Sequence, residues 1–210
     1  GAVYNPEEIQ RIVDFAIKHD LWILDDMIYA TLVWTDYPYT SPASLEGGAE
    51  RTITIGGWSK GWAMTGWRLG WITGPKRVMD GVKKINVSAA THVATFMMPA
   101  ATVALSLETE TAMMAASFKE RRGLMHSLLS ELPGVVVPKP EGAFYAFCDI
   151  TGTGMDDLEF ATRALEEANV QLIPGSLIEG GEGFVRISYA TSTEDIHEGV
   201  RRLNEWLNSL

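Results

Sequence analysis

The chain has 210 residues, 46% of them hydrophobic and 21% charged, with 27 acidic against 17 basic side chains and a formal net charge of -10. That length is enough to bury a sizeable core in one large domain or two small ones. The acidic balance argues against a nucleic-acid or membrane partner, because either would need a basic patch to neutralise phosphate.

In chain order, Asn5 as N-cap, Pro6 at the first helical position and Glu8 three residues after the cap open a helix with an apolar stripe of Ile9, Ile12, Val13 and Ala16, expected to end near Asp20. Leu21 to Leu24 reads as a short strand buried on both faces, and Asp25, Asp26 and Tyr29 follow at its carboxyl end. A loop rich in Pro, Tyr and Gly separates it from a second strand, Arg51 to Ile55, and Trp67 to Thr73 gives a third. Pro75 to Ile85 is helical in pattern. Strands separated by helices or long loops predict an α/β fold with a mainly parallel sheet.

Ile85 to Leu107 contains no Asp, Glu, Lys or Arg, yet its Asn, Ser, Thr, His and Pro residues are too many for a lipid-spanning helix, so it reads as a buried connection with Pro99 near a new helix start. From Ala100 to Leu132 the pattern is helical. Beyond it, strands are expected at Val135 to Val137, Ala143 to Asp149, Val170 to Ile173 and Phe184 to Ala190, with helices at Asp156 to Ala168 and Glu194 to Leu207. That order suggests a smaller α+β domain, with 1–96 and 97–210 as the expected division.

The lone cysteine, Cys148, excludes an intramolecular disulfide and lies in an apolar strand, which suggests an inert buried thiol and a reducing, cytoplasmic setting. The start of the chain carries no basic region followed by an apolar stretch, so a signal peptide is not expected. His19, His92, His126 and His197 are scattered without metal-ligand spacing, and no metal site is expected.

The segment richest in chemistry is Gly56-Gly57-Trp58-Ser59-Lys60-Gly61-Trp62-Ala63-Met64-Thr65-Gly66-Trp67-Arg68-Leu69-Gly70. A lysine just past an apolar strand, among glycines and with an arginine eight positions on, offers an amine for a Schiff base and a guanidinium fork for a phosphate. The whole string resembles the lysine signature of the class I/II aminotransferases, which are fold type I pyridoxal-phosphate enzymes. The resemblance implies that Lys60 carries the aldehyde of pyridoxal 5'-phosphate and that Ser59 and Arg68 hold its phosphate. It also makes Asp26, three residues before Tyr29, the family's strand-end Asp-x-x-Tyr pair. Asp26 would then hold the proton on the cofactor's ring nitrogen, and Tyr29 would donate to its phenolic oxygen. Asp25 is the rival, and the spacing to Tyr29 favours Asp26.

Arg186, in the apolar run Phe184 to Ala190, resembles the family arginine that grips the substrate's α-carboxylate, a role suited to a planar fork; a structural ion pair to a nearby Glu is the alternative. Pro174-Gly175-Ser176 and Pro140 to Tyr145 also resemble family loops, whereas Leu177-Ile178-Glu179 departs from the usual phenylalanine-glycine pair. Trp62 is expected to line the pocket.

Gly1 matches the last residue of an Asn-Pro-x-Gly turn whose asparagine is not in this sequence, so the chain is expected to be the later part of a longer enzyme, with sheet edge and apolar surface left exposed. The implied activity is transfer of an amino group between an amino acid and a 2-oxo acid by a homodimer. A β-eliminating lyase with the same cofactor, and a non-catalytic aminotransferase-like module, are the competing expectations.

Overall fold

The computed structural model describes residues 1–210, which form two compact units: Val3–Ala115, and Ala116–Leu210 together with Gly1–Ala2. This division falls later in the chain than the one expected at 96/97.

The first unit opens with α1 (Pro6–Lys18), started by the anticipated capping box: Glu8 N–H donates to Asn5 Oδ1 at 2.9 Å, and Asn5 N–H donates to Glu8 Oε2 at 2.8 Å. Val13 and Ala16 are buried, while Ile12, counted in the expected stripe, is 40% exposed. Three strands follow, β1 (Ile23–Asp26), β2 (Thr52–Gly57) and β3 (Gly70–Thr73), in the order β1-β2-β3. β1 and β2 are parallel, with Asp26 opposite Ile55.

β3 runs antiparallel to β2, with Gly57 opposite Gly70. Its connection is a loop that folds straight back, so no crossover helix is needed. The α/β reading stands, with this pairing as the exception to a parallel arrangement. β1 is not buried on both faces as expected. It is one of the two edge strands, and Leu24 is 66% exposed.

The helices α2 (Lys76–Ala89) and α3 (Met98–Ala104) follow, and then α4 (Glu108–Leu129). Ile85 to Leu107, expected to be a buried connection, is largely exposed. α2 buries no side chain, Phe96 is 77% exposed, and only Ala101 and Ala104 of α3 turn inward. The helical pattern after Ala100 is interrupted at 105–107, where Ser106 N–H turns back to Val103 O at 2.9 Å. No helix is long and apolar enough to cross a membrane.

The second unit carries an antiparallel sheet. β4 (Tyr145–Asp149) and the short β5 (Ile173–Pro174) flank β6 (Phe184–Ser188). α5 (Asp157–Ala168) and α6 (Thr193–Asn208) supply the core, with Phe160 meeting the Trp206 ring edge-on at 5.2 Å between centroids. The strand expected at Val135 to Val137 is reduced to one bridge, Val136 to Asp149, because Pro138 has no N–H with which to extend the ladder. Cys148 is fully buried, and burial pushes its thiol up to about 12, which makes it chemically quiet.

Asp157, at the start of α5, is buried and accepts from the backbone N–H groups of Ser176 at 2.7 Å and Gly183 at 3.4 Å, fastening both ends of the loop before β6. Hydrogen bonding from Ser176, ahead of that from Gly183, holds its carboxyl below the usual carboxylate range. With the folded pKa below the unfolded value of 3.8, the stabilisation is fully present above that value and is lost as pH falls through the lower, folded one. Urea unfolding should therefore show Asp157→Asn with a lower midpoint than the parent near pH 6, and the two midpoints drawing together near pH 3.

Candidate functional site

Neighbouring residues of a strand point to opposite faces, and β1 uses this to give its two aspartates different surroundings. Asp25 is 9% exposed and held by hydroxyls. Tyr39 O–H reaches both carboxylate oxygens at 2.6 Å, Ser41 donates at 2.8 Å and Thr54 at 3.4 Å. Burial, then the bond to Asp25, raises the Tyr39 hydroxyl far above the ordinary phenol range.

Asp26 is exposed on the other face, and its Oδ1 accepts from Ile28 N–H at 3.2 Å. Pairing continues one step further through Met27 N–H to Ile55 O at 2.9 Å. The chain then turns tightly, with Ala30 N–H on Met27 O at 3.0 Å and Leu32 N–H on Tyr29 O at 2.8 Å. Tyr29 thus sits in a fixed turn directly beyond the β1 carboxyl end.

β2 delivers the lysine. Its last residues, Gly56 and Gly57, are glycines for a steric reason: a Cβ on Gly56 would lie 2.3 Å from the Trp71 ring, and one on Gly57 2.9 Å from Leu69 O. The loop that follows is closed at its base by Trp58 N–H to Leu69 O at 3.3 Å, and inside by Met64 N–H to Trp58 O and Ala63 N–H to Lys60 O, both at 3.1 Å. Ser59 and Arg68 are the chain neighbours of the two residues that close the base, so the loop draws them together.

Ala63 and Arg68 both adopt left-handed backbone, with φ of 53° and 54°, a conformation that non-glycine residues hold only where surrounding contacts impose it. Arg68 Nη1 donates to Thr65 O at 2.7 Å and the residue is otherwise exposed. Lys60 and Ser59 are half-buried.

The lysine loop also meets the turn after β1. A Cβ on the buried Gly61 would lie 2.4 Å from Thr31 Oγ1, and a hollow of about 40 Å³ is lined by Met27, Ile28 and Thr31 from the turn and by Gly56, Gly57 and Trp62 from the lysine segment. A recess this small marks where the two segments meet and is too small to be a ligand pocket by itself. Thr31 had no marker in the sequence; the only clue to its contact is that a glycine follows Lys60.

Asp26, Tyr29, Ser59, Lys60 and Arg68 thus share the first unit, and Arg186 belongs to the second. On β6, Arg186 pairs across with Phe147 of β4, is half-buried, and places its guanidinium carbon 4.6 Å from the centroid of the Tyr145 ring. It forms no ion pair, so the glutamate alternative is not what the strand provides. The stacking role of Tyr145 was not read from the sequence, although an aromatic two residues from the cross-strand partner is the pattern that produces it.

The second strand of this α/β sheet thus ends in a pinned Ser-Lys-Gly loop beside an Asp-x-x-Tyr turn, and the comparisons with known proteins show the family to which such a chain belongs. Residues 1–203 match the family "Aminotransferase class I and II", and the chain belongs to that family. It is 41% identical over 211 residues to aromatic-amino-acid aminotransferase 2 of Thermococcus litoralis and 40% identical over 211 residues to an aspartate aminotransferase of Pyrococcus abyssi, covering 99% of this chain and 54% of each relative. Among solved structures, an aromatic aminotransferase from Pyrococcus horikoshii superposes with a TM-score of 0.95 at 38% identity, covering 99% of this chain and 57% of that one. The chain therefore spans about half the length of the relatives it matches.

Proposed function

We propose that this chain carries the cofactor-anchoring and carboxylate-binding residues of a pyridoxal-phosphate-dependent aminotransferase that moves an amino group between an amino acid and a 2-oxo acid. The observation that carries the reading is the meeting of the lysine loop with the turn after β1. It sets an amine, a carboxylate, a phenol, a hydroxyl and a guanidinium on neighbouring segments, a donor set that matches the aldehyde, ring nitrogen, phenolic oxygen and phosphate of pyridoxal 5'-phosphate. Residues 1–96 would then belong to the cofactor-binding domain and 97–210 to the smaller one. A cytoplasmic homodimer is part of the same proposal.

When bound, the cofactor supplies an electron-withdrawing ring conjugated to the substrate's α-carbon. The chain's own residues do the rest. Lys60 would hold the cofactor through its aldehyde, and its amine would move a proton at the substrate's α-carbon. Asp26 would keep a proton on the ring nitrogen, since a carboxylate beside a basic nitrogen favours the charged form. Tyr29 would donate to the phenolic oxygen, and Ser59 and Arg68 would hold the phosphate. Arg186 grips the α-carboxylate through two parallel hydrogen bonds.

Incubating the purified enzyme with pyridoxal 5'-phosphate, reducing with borohydride and mapping the peptides should find the pyridoxyl group on Lys60. A panel of aspartate, phenylalanine and tyrosine with 2-oxoglutarate should give amino transfer that depends on the oxo acid. A label on another lysine, or ammonia release without an oxo acid, would reject the proposal.

A further inference from the structure

We propose that Tyr145 is a positioning residue for Arg186, its ring holding the guanidinium in place to receive a substrate carboxylate. This rests on the reading of Arg186 as the carboxylate grip. Tyr145 pairs across with Ser188 and Phe147 with Arg186, which makes Tyr145 the diagonal neighbour of Arg186 on the same face of the sheet. At 4.6 Å from ring centroid to guanidinium carbon, the contact is within cation-π range.

The ring is itself braced. Phe144 lies 4.8 Å from Tyr145 between centroids, and Phe118 of α4 stacks on Phe144 at 5.2 Å with the planes 22° apart. Phe144 is buried, so this run of rings is anchored in the core. Further along the same face, Phe147 and Phe184 stack at 4.9 Å with planes 8° apart.

Arg186 is thus bordered by aromatic surface, with no acid to claim its charge. A ring face occupies the π face of a guanidinium and leaves its N–H groups, which lie in the plane, for a carboxylate. Arginine is long and flexible, and a side chain ordered before binding loses less freedom when the substrate arrives.

The test is a double-mutant cycle on the purified holoenzyme, reading KM and kcat for the amino acid and the oxo acid found active in the panel. Tyr145→Leu should raise both KM values by about 2- to 30-fold while kcat changes far less. Tyr145→Phe keeps the ring and should restore the parent KM. Tyr145→Met offers the same contrast as Tyr145→Leu should the leucine variant fold poorly.

In an Arg186→Ala background, Tyr145→Leu should add nothing. The inference is overturned by an unchanged KM in both Tyr145→Leu and Tyr145→Met, by failure of Tyr145→Phe to restore KM, or by a full additional loss in the Arg186→Ala background. An unchanged KM in Arg186→Ala alone would instead remove the carboxylate-grip reading, a separate and recognisable failure.

Discussion

Replacing Lys60 by alanine is expected to lower turnover by about 10²- to 10⁴-fold, the range of a lost general acid-base group, and to abolish borohydride labelling at this position. The loss should come without unfolding. Ala63 N–H meets the Lys60 carbonyl at 3.1 Å, and an alanine at position 60 keeps that backbone bond. Thermal unfolding of the variant beside the parent separates lost chemistry from lost folding. Lys60→Arg separates charge from chemistry, because a guanidinium keeps the positive charge but is never deprotonated and cannot serve as the amine. It should be as inactive as the alanine variant. Turnover retained in either variant would show that another group moves the proton.

What could be read from the sequence follows from how local each signal is. The capping box of α1 is written in Asn5, Pro6 and Glu8, and α5 and α6 start on Asp156 and Ser192, whose side chains accept from the N–H groups three residues on. The lysine segment was legible because its glycines and its arginine fall within one run of chain.

The direction of β3 was not legible. Whether a loop of this length folds back or crosses over is set by contacts such as Trp58 N–H to Leu69 O, which no short motif encodes. Exposed sheet edge and apolar surface were expected of a chain spanning part of a longer enzyme, but not that β1 and Ile85 to Leu107 would supply them. Apolar composition shows that a segment is able to be buried; the packing partner decides whether it is. The hydroxyls on Asp25 also escaped notice, since Tyr39 and Ser41 stand 14 and 16 residues away in what reads as a plain loop.

Those hydroxyls bear on the choice between the two aspartates. Spacing to Tyr29 makes Asp26 the proposed partner of the cofactor, and the Asp25 carboxylate is already engaged by three donors on its own side of the sheet. The two carboxylates should therefore fail in opposite ways. Asp25→Ala leaves the hydroxyls of Tyr39, Ser41 and Thr54 without their acceptor around a buried strand end, which is expected to cost about 2 to 4 kcal/mol of stability. Asp26→Ala removes only one turn bond, from Ile28 N–H, at an exposed position and should cost no more than about 1 kcal/mol. Its effect belongs to catalysis, where losing the charge opposite a ring nitrogen should lower kcat by about 10²- to 10³-fold, as for other single electrostatic groups. Urea midpoints and kcat measured on both variants check the division. An Asp26→Ala enzyme with near-normal kcat, or an Asp25→Ala enzyme of parental stability, would reverse the assignment of the pair.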